Sequence, residues 1–175
     1  MKKRILAALM TSAALLLSMG IHAKGPPPRA VLLKDAEGIA IGRVIGMETS
    51  GWPYVLTDQG YRTLFRLATG RVYLYSPVFY QSTDCTGVAY VRSGRYLGTV
   101  FSPTSDDELA YAGDALLYSP SDAQLVSINI NSTLDESLGC QAFVLTDSEG
   151  YPSYQNDPGV TGINNTAYPA RLLIE

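Results

Sequence analysis

Ala30-Val31-Leu32-Leu33-Lys34-Asp35-Ala36-Glu37-Gly38-Ile39-Ala40-Ile41-Gly42-Arg43-Val44-Ile45-Gly46 consists of two short apolar runs separated by an acidic turn that ends in glycine. The second run is rich in β-branched residues, which suit a pleated, half-buried surface rather than a helix. Its large apolar residues are odd-numbered at Ile39 and Ile41, and beyond Gly42 the even-numbered Val44 joins Ile45. That change of phase near Gly42 predicts a bulge or bend within one strand.

The same grammar continues outward. Tyr54-Val55-Leu56 ends at the turn Thr57-Asp58-Gln59-Gly60, and residues 61–68 place Arg62 and Arg66 on the opposite phase to Phe65. Gly70 leads into Arg71-Val72-Tyr73-Leu74-Tyr75, and further runs fall at 78–80, 87–91, 96–101, 115–118, 124–130, 141–145 and 171–174. No amphipathic stretch of about ten residues or more has a helical period, and residues 106–117 offer room only for a turn or short helix. Residues 102–108 and the Asp/Asn/Gly/Pro/Ser-rich stretch 147–169 are expected to be irregular. About ten short strands with regular turn signals imply an all-β domain, an antiparallel sandwich or a barrel-like fold.

Of the 175 residues, 1–23 have the form of a secretory signal peptide: Met1-Lys2-Lys3-Arg4, an apolar stretch from Ile5 to Met19, and Ala23 before the expected cut. Residues 24–29 are a proline-rich spacer that favours polyproline II, and 30–175 form a single β-domain. The expected destination is the periplasm, the cell surface or the medium. Cys85 and Cys140 are the only cysteines. In an oxidising compartment one pair has one internal connectivity, so a Cys85–Cys140 disulfide is expected. Free thiols or an intermolecular bond are the alternatives.

Removing the leader takes away three of the 13 basic residues and none of the 16 acidic ones, so the formal net charge moves from −3 to −6. The one histidine, His22, goes with it, which excludes histidine-based nucleophilic devices and histidine metal ligands from the remaining chain. Its acidic balance gives no footprint for nucleic acid, and no transmembrane segment is expected after cleavage. Asp106-Asp107-Glu108, with Asp114, supplies oxygen ligands of the calcium type but lacks the spacing of a calcium loop, so it is read as a solvated acidic turn. No cofactor, metal or catalytic residue is indicated.

Asp35-x-x-Gly38-x-x-Ile41-Gly42 and Ser82-x-Asp84-Cys85-x-Gly87, followed later by Gly139-Cys140, resemble a pattern of uncharacterised secreted bacterial and phage-associated β-rich proteins. The resemblance implies an exported β-domain, sometimes a fibre tip, and brings no catalytic residues with it.

Tyrosine is abundant, 12 residues, all beyond the leader, beside a single tryptophan. An apolar ring with a polar tip suits sugar stacking and protein interfaces. Trp52, Tyr73, Tyr75 and Tyr90 are the contact candidates. The expected function is a non-catalytic, exported domain that binds a protein or glycan or serves a structural role at the cell envelope. A pilin-like assembly subunit and a carboxylate-dependent hydrolase are the alternatives.

Overall fold

A computed structural model of the chain describes residues 30–103, 116–135, 139–165, 168 and 170–174. The leader, the proline-rich spacer and the acidic group Asp106–Glu108 with Asp114 lie outside the described residues. The domain is mostly β, as its alternating runs predict, with twelve strands and one short α-helix among the described residues. The strands are β1 (Val31–Asp35), β2 (Ala40–Met47), β3 (Pro53–Leu56), β4 (Arg62–Arg66), β5 (Arg71–Val72), β6 (Phe79–Tyr80), β7 (Ala89–Val91), β8 (Thr99–Phe101), β9 (Leu117–Ser119), β10 (Val126–Asp135), β11 (Gly139–Gln155) and β12 (Ala170–Ile174). Helix α1 covers Pro158–Thr161. Eleven strands follow one another as β10-β6-β7-β11-β9-β8-β4-β3-β2-β1-β12, and β5 hangs off β4.

Local chemistry makes the first hairpin. The Asp35 carboxylate accepts hydrogen bonds from the backbone of Glu37 (3.0 Å) and Ile39 (2.8 Å), closing the turn. The phase change in β2 is real: the pairing with β1 slips between Leu33 and Lys34, so Ile41 is the extra residue beside Gly42. A second slip in β2, between Val44 and Gly46, frees Ile45 from direct pairing with β3. Gly42 is required by proximity, because a Cβ there would lie 2.6 Å from the Leu56 carbonyl oxygen.

Two features depart from the sequence-based expectation. The first part of the stretch 147–169 is not irregular: β11 runs on to Gln155, pairing Val126 with Gly150 and then Pro152 with Tyr90. Its turn-forming composition is overridden by packing, since a Cβ on Gly150 would press at 3.0 Å on both Ile128 and Tyr90. The sheet is also mixed, because β4 and β8 run parallel and meet at Arg62↔Thr99.

Long β11 joins two regions. Its first part pairs with β10, its later part with β7 and β9, and β10 also pairs with β6. Because β6 pairs with β7, the pairings β10-β6-β7-β11-β10 close on themselves. Tyr90, Ile128 and Ile130 pack together there, next to a cluster of Val78, Tyr80, Ala89, Val91, Tyr96 and Phe101. The rest of the sheet wraps Leu33, Ile41, Val55, Phe65, Val72, Val100, Leu116, Ile163 and Tyr168. The Cys85–Cys140 disulfide ties the loop between β6 and β7 to the start of β11. Ser132 of β10 anchors the same loop, accepting from the Cys85 amide at 3.1 Å and donating to the Ser82 carbonyl at 2.7 Å.

Burial holds the phenols of Tyr80 and Tyr168 above their ordinary pKa. Both favour the protonated form when folded, so their contribution is intact below about pH 10 and is lost as pH rises through the raised values. No described residue is a histidine or a free thiol. The melting temperature of the chain from Lys24 onward is therefore expected to stay level between about pH 6 and 9, apart from a small effect of the α-amino group, and to fall above about pH 10. A pH series of thermal melts checks this; a step near pH 6.5 would contradict it.

Candidate functional site

The parallel contact of β4 with β8 is brief, and the two strands then diverge around an inserted segment. The Tyr73 amide donates to the Leu64 carbonyl on the β4 side at 2.6 Å. On the β8 side, Ser102 N–H donates to the Leu74 carbonyl (2.7 Å) and Ser76 N–H to the Ser102 carbonyl (3.0 Å). Residues 73–76 therefore form a wedge in a forked sheet. Beside the fork is a groove of about 470 Å³, within the range of small-molecule sites.

Its lining comes from six sources. Ile45, freed by the second bulge, and Gly46 come from β2; Tyr54 comes from β3; Arg62 and Thr63 come from β4; Leu74 and Tyr75 come from the wedge. Arg95, Tyr96 and Thr99 complete it from the 3₁₀ turn Gly94–Tyr96 and β8. The surface is mainly aromatic and aliphatic, with two guanidiniums and no carboxylate among the described residues.

The polar groups are held in place. Arg95 Nη2 donates to the Tyr96 hydroxyl at 2.6 Å, and its guanidinium carbon lies 4.8 Å from the centre of the Tyr96 ring. The Tyr96 hydroxyl donates in turn to the Tyr75 carbonyl at 2.8 Å, and Tyr96 is itself buried. Arg62 donates to the Leu97 carbonyl at 3.1 Å. The hydroxyls of Thr63 and Thr99 are committed to the carbonyls of Val100 (2.8 Å) and Tyr96 (2.6 Å). Among the described residues lining the groove, neither a carboxylate nor an imidazole accompanies them.

The candidates named from sequence separate. Tyr75 lines the groove. Trp52 and Tyr73 meet edge to face, ring centres 4.1 Å apart, with the Arg66 guanidinium 5.9 and 6.0 Å from the two rings. Tyr90 is only 9% exposed, packs with Ile128 and Ile130, and accepts a hydrogen bond from Gln81 at 3.0 Å. It is a core residue, because β7 is covered on its Tyr90 face by β10. Cys85 and Cys140 form the expected disulfide, away from the groove. Sequence reading missed Tyr54, Arg62, Arg95 and Tyr96 as a group. The one signal was the phase of Arg62 opposite Phe65, which put a cation on the outer face of β4.

The chain matches no family model, no curated protein and no solved structure.

A second depression of similar volume is lined by Arg92, Asp147, Glu149 and polar neighbours. That lining combines one arginine with two carboxylates. The forked-sheet groove differs in having two arginines and no carboxylate among its described lining residues. Among the described residues no group of acids, histidines or cysteines is placed to hold a metal, and no helix is long and apolar enough to cross a membrane.

Proposed function

We propose that this is an exported, non-catalytic binding domain whose ligand sits in the groove at the β4/β8 fork. The observation that carries the reading is the composition of that groove: aromatic and aliphatic walls, two anchored guanidiniums, and threonine hydroxyls already donated to backbone carbonyls. Such a surface supplies contact area and orientation but no proton-transfer pair. The disulfide supports export, as does the lysine-arginine and apolar pattern of residues 1–23. The hydrolase alternative ranks behind, since its chemistry needs paired carboxylates and none is found among the described residues that line the groove. The pilin-like alternative gains no specific support, as β1 is paired with β12 over Val31–Asp35 and with β2 over Leu32–Lys34.

A groove-filling variant tests the reading. A Cβ at Gly46 meets nothing closer than a Tyr54 ring carbon at 3.9 Å, so Gly46→Trp can occupy the groove without displacing backbone. Saturation-transfer NMR of the chain from Lys24 onward, against pooled envelope glycans and small organic acids, is expected to find binders that Gly46→Trp no longer holds. A pool without binders, or binding untouched by Gly46→Trp, would count against the groove.

A further inference from the structure

The groove's electrostatics narrow the ligand class. The chain is acidic overall, yet this depression gathers two arginines and no described carboxylate. A guanidinium carries five N–H donors in a planar fork that matches a carboxylate. Arg95 spends one described hydrogen bond on the Tyr96 hydroxyl and Arg62 one on the Leu97 carbonyl, so each retains donors for an incoming anion. Arg95 is stacked and tethered beforehand, which lowers the ordering cost of binding. In the same lining, Tyr54, Tyr75, Ile45 and Leu74 offer a surface suited to a flat apolar body. The volume of about 470 Å³ suits a small molecule rather than a folded partner.

We propose that the groove takes a small organic acid: a flat aromatic or alicyclic body carrying a carboxylate that Arg95 and Arg62 bind. This deepens the binding-domain reading and rests on it. The body lies against the tyrosines and the aliphatic side chains, and the carboxylate accepts from the guanidinium forks. No covalent step is involved.

Three probes separate the contributions in calorimetric titrations of the chain from Lys24 onward. They are 2-naphthoate, its neutral counterpart 2-naphthamide, and acetate as the anion without a body. Naphthoate is expected to bind at least about tenfold more tightly than either of the others, since charge-assisted pairs are about twice as strong as neutral ones. Arg95→Gln and Arg62→Gln, both at exposed positions, are expected to weaken naphthoate roughly tenfold each and to leave naphthamide unchanged. Gly46→Trp is expected to abolish naphthoate binding.

Equal affinity for naphthamide and naphthoate, both lost in Gly46→Trp, would overturn the acid and leave the groove standing as a binding face. Acetate binding as tightly as naphthoate would overturn the flat body. Naphthoate binding that survives Gly46→Trp would overturn the proposal and the groove reading together, and no heat with naphthoate at millimolar concentration would overturn the acid.

Discussion

Gly70→Ala is expected to destabilise the domain more than any other single methyl group added to it. Gly70 has φ of +64° in the turn between β4 and β5, and a Cβ there would fall 1.1 Å from the Tyr168 carbonyl oxygen. The contact is backbone, so no side chain can swing away. The Gly70 carbonyl accepts from the Tyr168 amide at 2.7 Å, and the Tyr168 ring packs edge-on against Phe65 with ring centres 5.8 Å apart. Phe65 is fully buried. This turn is therefore where the segment leading into β12 docks on the core. The substitution combines a left-handed backbone penalty with forced displacement of Tyr168, together roughly 3–5 kcal/mol. Gly60→Ala provides the control: its φ is +84°, its Cβ would meet nothing within 4 Å, and only the conformational cost of about 1 kcal/mol applies. Urea unfolding of both variants checks the contrast. Equal midpoints would mean that Tyr168 does not hold the β4–β5 turn.

Removing the disulfide is the second large effect. Cys85 and Cys140 are separated by 55 positions, a loop whose closure restricts the unfolded chain by about 4 kcal/mol in the loop-entropy description. The bond has a second effect in the folded state. Cys85 sits at φ of 57°, uncommon for a residue with a side chain, and is held there by the Ser132 hydrogen bond as well as by the bridge. Replacing both cysteines with serine is expected to lower the melting temperature by roughly 10–15 °C. Hydrogen exchange is expected to rise first at β6, β7 and the Cys140 end of β11, where the loop is tied down. A melt unchanged by reductant would show that the bridge does not restrain the chain.

The sequence carried the β class, the bulge near Gly42, the disulfide partners and the turn at Asp35–Gly38, because each depends on a few neighbouring residues. The continuation of β11 through Gly150 and Pro152 was hidden, because those residues are breakers by propensity, and only the fit of Gly150 against Tyr90 and Ile128 and the pairing of Pro152 with Tyr90 make them strand. The groove was hidden for a related reason. Tyr54, Arg62, Tyr75 and Arg95 come from separate elements that meet only where β4 and β8 diverge, and a parallel contact between strands so far apart in sequence leaves no local periodicity. Tyrosine abundance pointed toward contact chemistry, but it could not separate Tyr75 in the groove from Tyr90 in the core.

Amide chemical-shift mapping with the first ligand recovered in the screen tests the central claim most directly. If the fork in the sheet is the binding face, the perturbed amides will cluster at Ile45 and Gly46, Tyr54, Arg62 and Thr63, Leu74 and Tyr75, and Arg95 to Thr99. Shifts confined instead to the exposed Phe143–Val144 stretch of β11, or to the depression around Arg92 and Asp147, would contradict it.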